Sequence, residues 1–298
     1  MTNSKRIIIP DEIPRGEMTS KTARVQVWLF IIPCLLITGV FMLLAAACDT
    51  DLEDAGAALF TTIACFMPAI TAIVLCLMKR IKISELAVFP RLRGNVHIYA
   101  IVILIAVVVS LTDQPLTSAM FPDVVQFQNF DCFVFIMNVL ALLAISFVGM
   151  ISLLGEEIGW LGYLFPRLER IYGTIIAVVL MGVIRGIWHL VMFLVIGSDT
   201  ALVQFGMVTA ANILLDSLFI CAMKKTSSII PGALAHSITN VLPGVYTSFA
   251  MTNEELFAKN YMQIQMVLLI PTVMIGITCY VILYKWCKRK KQEKVPHA

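Results

Sequence analysis

Six runs of mostly apolar residues, 25–48, 57–78, 132–154, 173–196, 202–223 and 264–284, are each long enough to cross the roughly 30 Å hydrocarbon core of a bilayer, which takes about 20 residues in a helix. Lipid offers the backbone no hydrogen-bond partners, so each run must pair its own N–H and C=O groups and is read as an α-helix. The composition agrees, with 59% hydrophobic and 14% charged residues against about 25% charged in ordinary soluble domains. That balance excludes a soluble enzyme, a disordered tail protein and a nucleic-acid binder. Of the eight cysteines, Cys34, Cys65, Cys76, Cys221 and Cys279 fall inside apolar runs, where they behave as small hydrophobes, and no disulfide is assigned.

Two further segments are weaker. The run 96–111 is short, and 229–245 carries a His, an Asn and two prolines, as a tilted, broken or re-entrant segment would. Charge supports keeping both. With eight crossings, 20 of the 22 lysines and arginines fall in alternate loops and the two ends, while the opposite loops hold Lys259 and many acids. Lys and Arg accumulate on the cytoplasmic side, so the expected fold is an all-α polytopic membrane protein of about eight transmembrane helices with both termini cytoplasmic. Its parts are a cytoplasmic N-terminal segment 1–24, a single membrane domain 25–286 and a basic cytoplasmic tail 287–298. Trp28, Trp160 and Trp286 fit an interfacial aromatic belt, with Trp160 also packing beside the site.

An ionisable side chain at membrane depth costs about 2.5 kcal/mol or more on insertion, so each one is a functional candidate. They are Glu156 and Glu157 at the end of the fourth span, Arg185 and His189 in the fifth, Asp216 in the sixth, and His236 with Asn240 in the seventh. Arg185 and His189 are four apart, as are His236 and Asn240, so each pair shares a helix face. Adjacent Glu156 and Glu157 lie about 100° apart around a helix, which implies two roles for two carboxylates. Such a set can bind a divalent metal such as zinc, through Glu156, His189 and His236. It can equally use a Glu as general base on water while His and Asn stabilise an oxyanion. Both routes end in hydrolysis. Asp216, four after Asn212, reads equally as an interhelical hydrogen-bonding group and is left out of the catalytic set.

The runs 156–168 (Glu-Glu-Ile-Gly-Trp-Leu-Gly-Tyr-Leu-Phe-Pro-Arg-Leu), 188–190 (Trp-His-Leu) and 231–240 (Pro-Gly-Ala-Leu-Ala-His-Ser-Ile-Thr-Asn) resemble the three motifs of the CAAX prenyl protease and bacteriocin-processing (CPBP, Abi) family of intramembrane proteases. The catalytic motifs therefore lie in 155–242. The resemblance implies that Glu156 activates water with help from His189, that Glu157 orients the others, and that His236 and Asn240 bind the carbonyl oxygen as it becomes an oxyanion. It leaves open a metalloprotease or a metal-independent glutamate mechanism. The sequence departs from the pattern at Leu161, where the family usually has Arg, and at Arg185, where it commonly has Phe. Arg185 is expected to supply the missing cation from the adjacent helix, since it would otherwise be an unpaired buried charge.

The function expected is an intramembrane endopeptidase acting on a membrane-embedded or membrane-associated peptide, in a multi-pass protein of the bacterial plasma membrane. A non-catalytic immunity or scaffold protein of the same fold is the first alternative. A proton-coupled transporter using the same buried groups as a relay is the second, disfavoured by the lack of visible internal repeats.

Overall fold

The apolar runs become seven helices long and apolar enough to cross a membrane among the described residues. In this computed structural model the described residues are 19–48, 55–79 and 81–293. Most of the segment 1–24, the end of the basic tail and the side chain of Trp286 lie outside them. The long helices are α1 (Ser20–Cys48), α2 (Ala55–Met78), α3 (Val96–Met120), α4 (Cys132–Glu157), α6 (Thr174–Val195), α7 (Ala201–Thr226) and α10 (Tyr261–Glu293). Shorter elements are α5 (Phe165–Tyr172), α8 (Ile230–Val241), α9 (Glu254–Lys259) and the strands β1 (Val125–Phe127) and β2 (Ala250–Thr252). Every described cysteine is free, Cys48 and Cys132 included.

The third helix is longer than the hydropathy predicts, running from Val96 to Met120 rather than ending near 111. Thr112, Asp113, Gln114 and Pro115 lower the apolarity without ending the helix. Pro115 has no N–H to give the carbonyl of Leu111 four residues earlier. That carbonyl instead accepts from the hydroxyl of Tyr246 at 2.6 Å, so a neighbouring segment repairs the helix.

The seventh crossing is composite. Helix α8 has only 12 residues and is followed by a 3₁₀ turn, Leu242–Tyr246. Strand β2 then pairs antiparallel with β1. At the start of this segment the Ile229 N–H donates to Ala87, between α2 and α3, and at its far end the Asn253 N–H donates to Val124, between α3 and α4. The chain thus traverses the bundle here without a helix of spanning length, and the eight expected crossings become seven long helices plus this one.

Close packing around α4 sets the site's position. Beyond Glu157 the helix widens into a π-helix, Ile158–Leu164, before α5. A Cβ on Gly159 would lie 2.4 Å from the Pro68 Cβ, so only glycine lets this wide turn rest on α2. On α6, a Cβ at Gly186 would lie 1.9 Å from Thr209 Oγ1 of α7. Leu161 and Trp160 are buried in the core. Trp160 therefore does not belong to an interfacial belt: its ring meets Phe30 and Trp188 edge-on, whereas Trp28 is exposed.

Candidate active site

Four helices deliver the candidate residues. The end of α4 supplies Glu156 and Glu157, α6 supplies Arg185 and His189, α7 supplies Asp216, and α8 supplies His236 and Asn240. The short α8 is pinned to α4 where Ser237 Oγ donates to the Ser146 carbonyl at 2.8 Å. That contact turns Ser237 away from the cluster and leaves His236 facing it.

Arg185 is the hub. Its Nη2 donates to Glu156 Oε2 at 3.0 Å and Glu157 Oε1 at 2.9 Å, and lies 3.0 Å from His236 Nδ1. Its Nη1 donates to Asp216 Oδ1 at 2.8 Å. One guanidinium, 1% exposed, thus faces three carboxylates. Removing it would leave several buried charges without a counter-ion. The expectation that Arg185 meets Glu157 from the adjacent helix matches this geometry. Leu161 is nowhere near filling that role, because its methyl group packs against Gly232 at the start of α8.

The two glutamates sit differently. The Glu157 side chain is 0% exposed and Glu156 10% exposed, so only Glu156 opens toward space a water can enter. Glu157 Oε1 also lies 2.9 Å from His236 Nδ1. The two hydrogens of Arg185 Nη2 go to the two glutamates, so Nδ1–H donates to the Glu157 carboxylate. With Nδ1 protonated, Nε2 is an acceptor in the neutral ring and a donor in the imidazolium.

His189 and Asn240 make no hydrogen bond to the side chains of this cluster among the described residues. His189 Nδ1 donates to the Arg185 carbonyl in its own helix at 2.9 Å, which leaves Nε2 as an acceptor. It lies one turn, about 6 Å, beyond Arg185 along α6. Its ring stands edge-on to Trp188 with centroids 4.8 Å apart. Asn240 is exposed at the end of α8, with no hydrogen bond to the glutamates or Arg185 among the described residues. Asp216 is the member that sequence reasoning set aside. The available signal was a lone aspartate at membrane depth beside a lone arginine at membrane depth.

The residues fit a divalent metal poorly. Among the described residues no three His, Cys, Asp or Glu side chains are arranged to hold one. Of the three candidate ligands, Glu156 Oε2 and His236 Nδ1 face the Arg185 guanidinium, and His189 Nδ1 is taken up by a carbonyl of its own helix.

Residues 135–242 match a family model described as type II CAAX prenyl endopeptidase Rce1-like. The matched segment contains Glu156, Glu157, Arg185, His189, Asp216, His236 and Asn240. No curated protein matches the chain.

Proposed function

Because residues 135–242, which build this cluster, match the Rce1-like family model in a chain with seven helices apolar enough to cross a membrane among the described residues, we propose that the chain is an endopeptidase that hydrolyses membrane-associated peptides with water activated by Glu156. The observation that carries the reading is the meeting of Glu156, Glu157 and His236 on one guanidinium nitrogen. It supports the reading because a carboxylate that can act as base, its orienting partners and an imidazole then lie in one place, as positioning for general-base hydrolysis requires.

Each group then has a task. Glu156, anchored through Oε2, takes a proton from water with its other oxygen, and the resulting hydroxide adds to the scissile carbonyl carbon. His189 Nε2 accepts a hydrogen bond from the same water. His236, with Nδ1–H held by Glu157, donates from Nε2 as an imidazolium to the developing oxyanion. Asn240 completes that donor pair once substrate fills the space between. The C–N bond breaks as Glu156 returns its proton to the leaving amine. Arg185, Glu157 and Asp216 act through the others as positioning residues.

No metal enters this scheme, since Arg185 supplies the positive charge. The test is cleavage of a panel of membrane-inserted and prenylated peptides by the purified chain, with Glu156→Gln, His189→Ala and His236→Ala alongside. Glu156→Gln is expected to lower the rate by a factor on the order of 10³, within the range for general-base catalysis. Wild-type cleavage is expected to survive exhaustive chelation. Loss on chelation with recovery on added zinc would overturn the metal-free scheme. A non-catalytic reading is favoured by one observation, the ion pair already formed at Glu156. Wild-type function of Glu156→Gln in a cellular immunity assay would give that reading the lead.

A further inference from the structure

A groove of about 570 Å³ lies between α3, α7 and α10, apart from the catalytic cluster. Its walls are apolar, with Ile101, Leu218 and Ile282 among them, and Lys224, Lys225 and Lys285 sit at one end. The volume falls within the range of ligand pockets, about 300–1,000 Å³. Along α10 the lining runs from Met274 to Lys285, about 16 Å at 1.5 Å per residue. That is half of the roughly 30 Å hydrocarbon core, the depth of one leaflet.

The walls ask for no polar partner. Thr278 Oγ1 donates to the Met274 carbonyl of its own helix. Ile101 and Ile282 remain 50% and 46% exposed, so protein does not close over the trough. The lysine end is different. Lys224 is paired with Glu169, whereas Lys225 and Lys285 are exposed and have no ion-pair partner among the described residues. A trough one leaflet deep, apolar along its length and cationic at its mouth, is complementary to a lipid with acyl chains and a net negative headgroup. A zwitterionic lipid carries its own cation beside the phosphate and gains little from two more.

We propose that this groove is a binding site for one anionic phospholipid, its chains against α3, α7 and α10 and its phosphate at Lys225 and Lys285. The site is independent of the protease reading. Native mass spectrometry of the full chain in detergent, titrated with phosphatidylglycerol or phosphatidylcholine of identical chains, tests it. A lysine near an anionic headgroup contributes about fivefold, so phosphatidylglycerol should be retained at least about tenfold more tightly. Lys225→Ala with Lys285→Ala should reduce that preference below about twofold, and Thr278→Trp, which fills the trough, should weaken retention of both lipids. Melting temperatures of the lipid-free variants serve as the folding control. Equal retention of the two lipids by the wild type would overturn the proposal, as would a preference that survives in the double lysine variant. Displacement of both lipids equally well by a farnesylated peptide would assign the groove to substrate and overturn it too.

Discussion

Two buried arginines, Arg167 and Arg185, solve the same problem of a cation at low dielectric in opposite ways. Arg167 uses neutral partners. Its Nε donates to Gln26 Oε1 and its Nη1 to the Tyr163 carbonyl, both at 2.7 Å, while the guanidinium lies 3.4 Å from the centre of the Tyr163 ring. Those contacts tie α1 to α5 and offer nothing that exchanges a proton at ordinary pH. Arg185 is ringed instead by three carboxylates and a histidine, all of which can. Burial of a charge therefore does not by itself mark chemistry; the kind of partner does. In this chain the first arginine is a clamp and the second is the hub of the proposed site.

That contrast can be broken most forcefully at Arg185. Arg185→Leu is expected to remove detectable peptide cleavage and to cost about 3–5 kcal/mol of stability, the usual penalty for stranding buried charges, as read by thermal melting in detergent. Adding Leu161→Arg should restore part of both, limited by the packing of position 161 against Gly232. Wild-type cleavage by a folded Arg185→Leu protein would erase the distinction. Asp216→Asn keeps the acceptor for Nη1 and removes only the charge. We expect kcat to fall roughly tenfold with KM little changed, the signature of a displaced positioning group. Arg167→Met should do the converse, costing about 1–3 kcal/mol in lost charge-assisted hydrogen bonds while cleavage per folded molecule stays at the wild-type rate. The smallest effect is expected at Thr38→Val, which takes the partner from Trp188 Nε1. A loss of about 1 kcal/mol in melting experiments, with unchanged cleavage, would show that the aromatic wall beside His189 is structural.

Apolar runs report burial in lipid, so the long helices were legible in the sequence. Charge alternation also required a crossing at 229–245 where hydropathy alone was weak. Hydropathy misjudged the end of α3 because Pro115 breaks a hydrogen bond only if nothing else supplies a donor, and Tyr246 is 131 residues away. Four-residue spacing placed Arg185 with His189 and His236 with Asn240 on common faces, and the family motifs singled out Glu156 and Glu157. Spacing within a helix says nothing about which neighbour it meets. That is why Asp216 was set aside and why Asn240, on the same face as His236, lies outside the hydrogen-bonded cluster. The π-helix after Glu157 left no trace in apolarity, since a change in hydrogen-bond register alters no side chain; glycines at 159 and 162 were its only hint.

The brevity of α8 has a consequence for how the protein comes to exist in a membrane. A helix of 12 residues is too short to insert on its own apolarity, and the irregular backbone that follows it is tolerated at that depth only when surrounded by protein. The other seven crossings can enter the bilayer as separate hydrophobic units. The segment bearing His236 must await its neighbours, entering a space already walled by α3, α4 and α7. Assembly of the bundle and assembly of the cluster around Arg185 are therefore one event, and a chain whose long helices have inserted but not yet packed has no complete site.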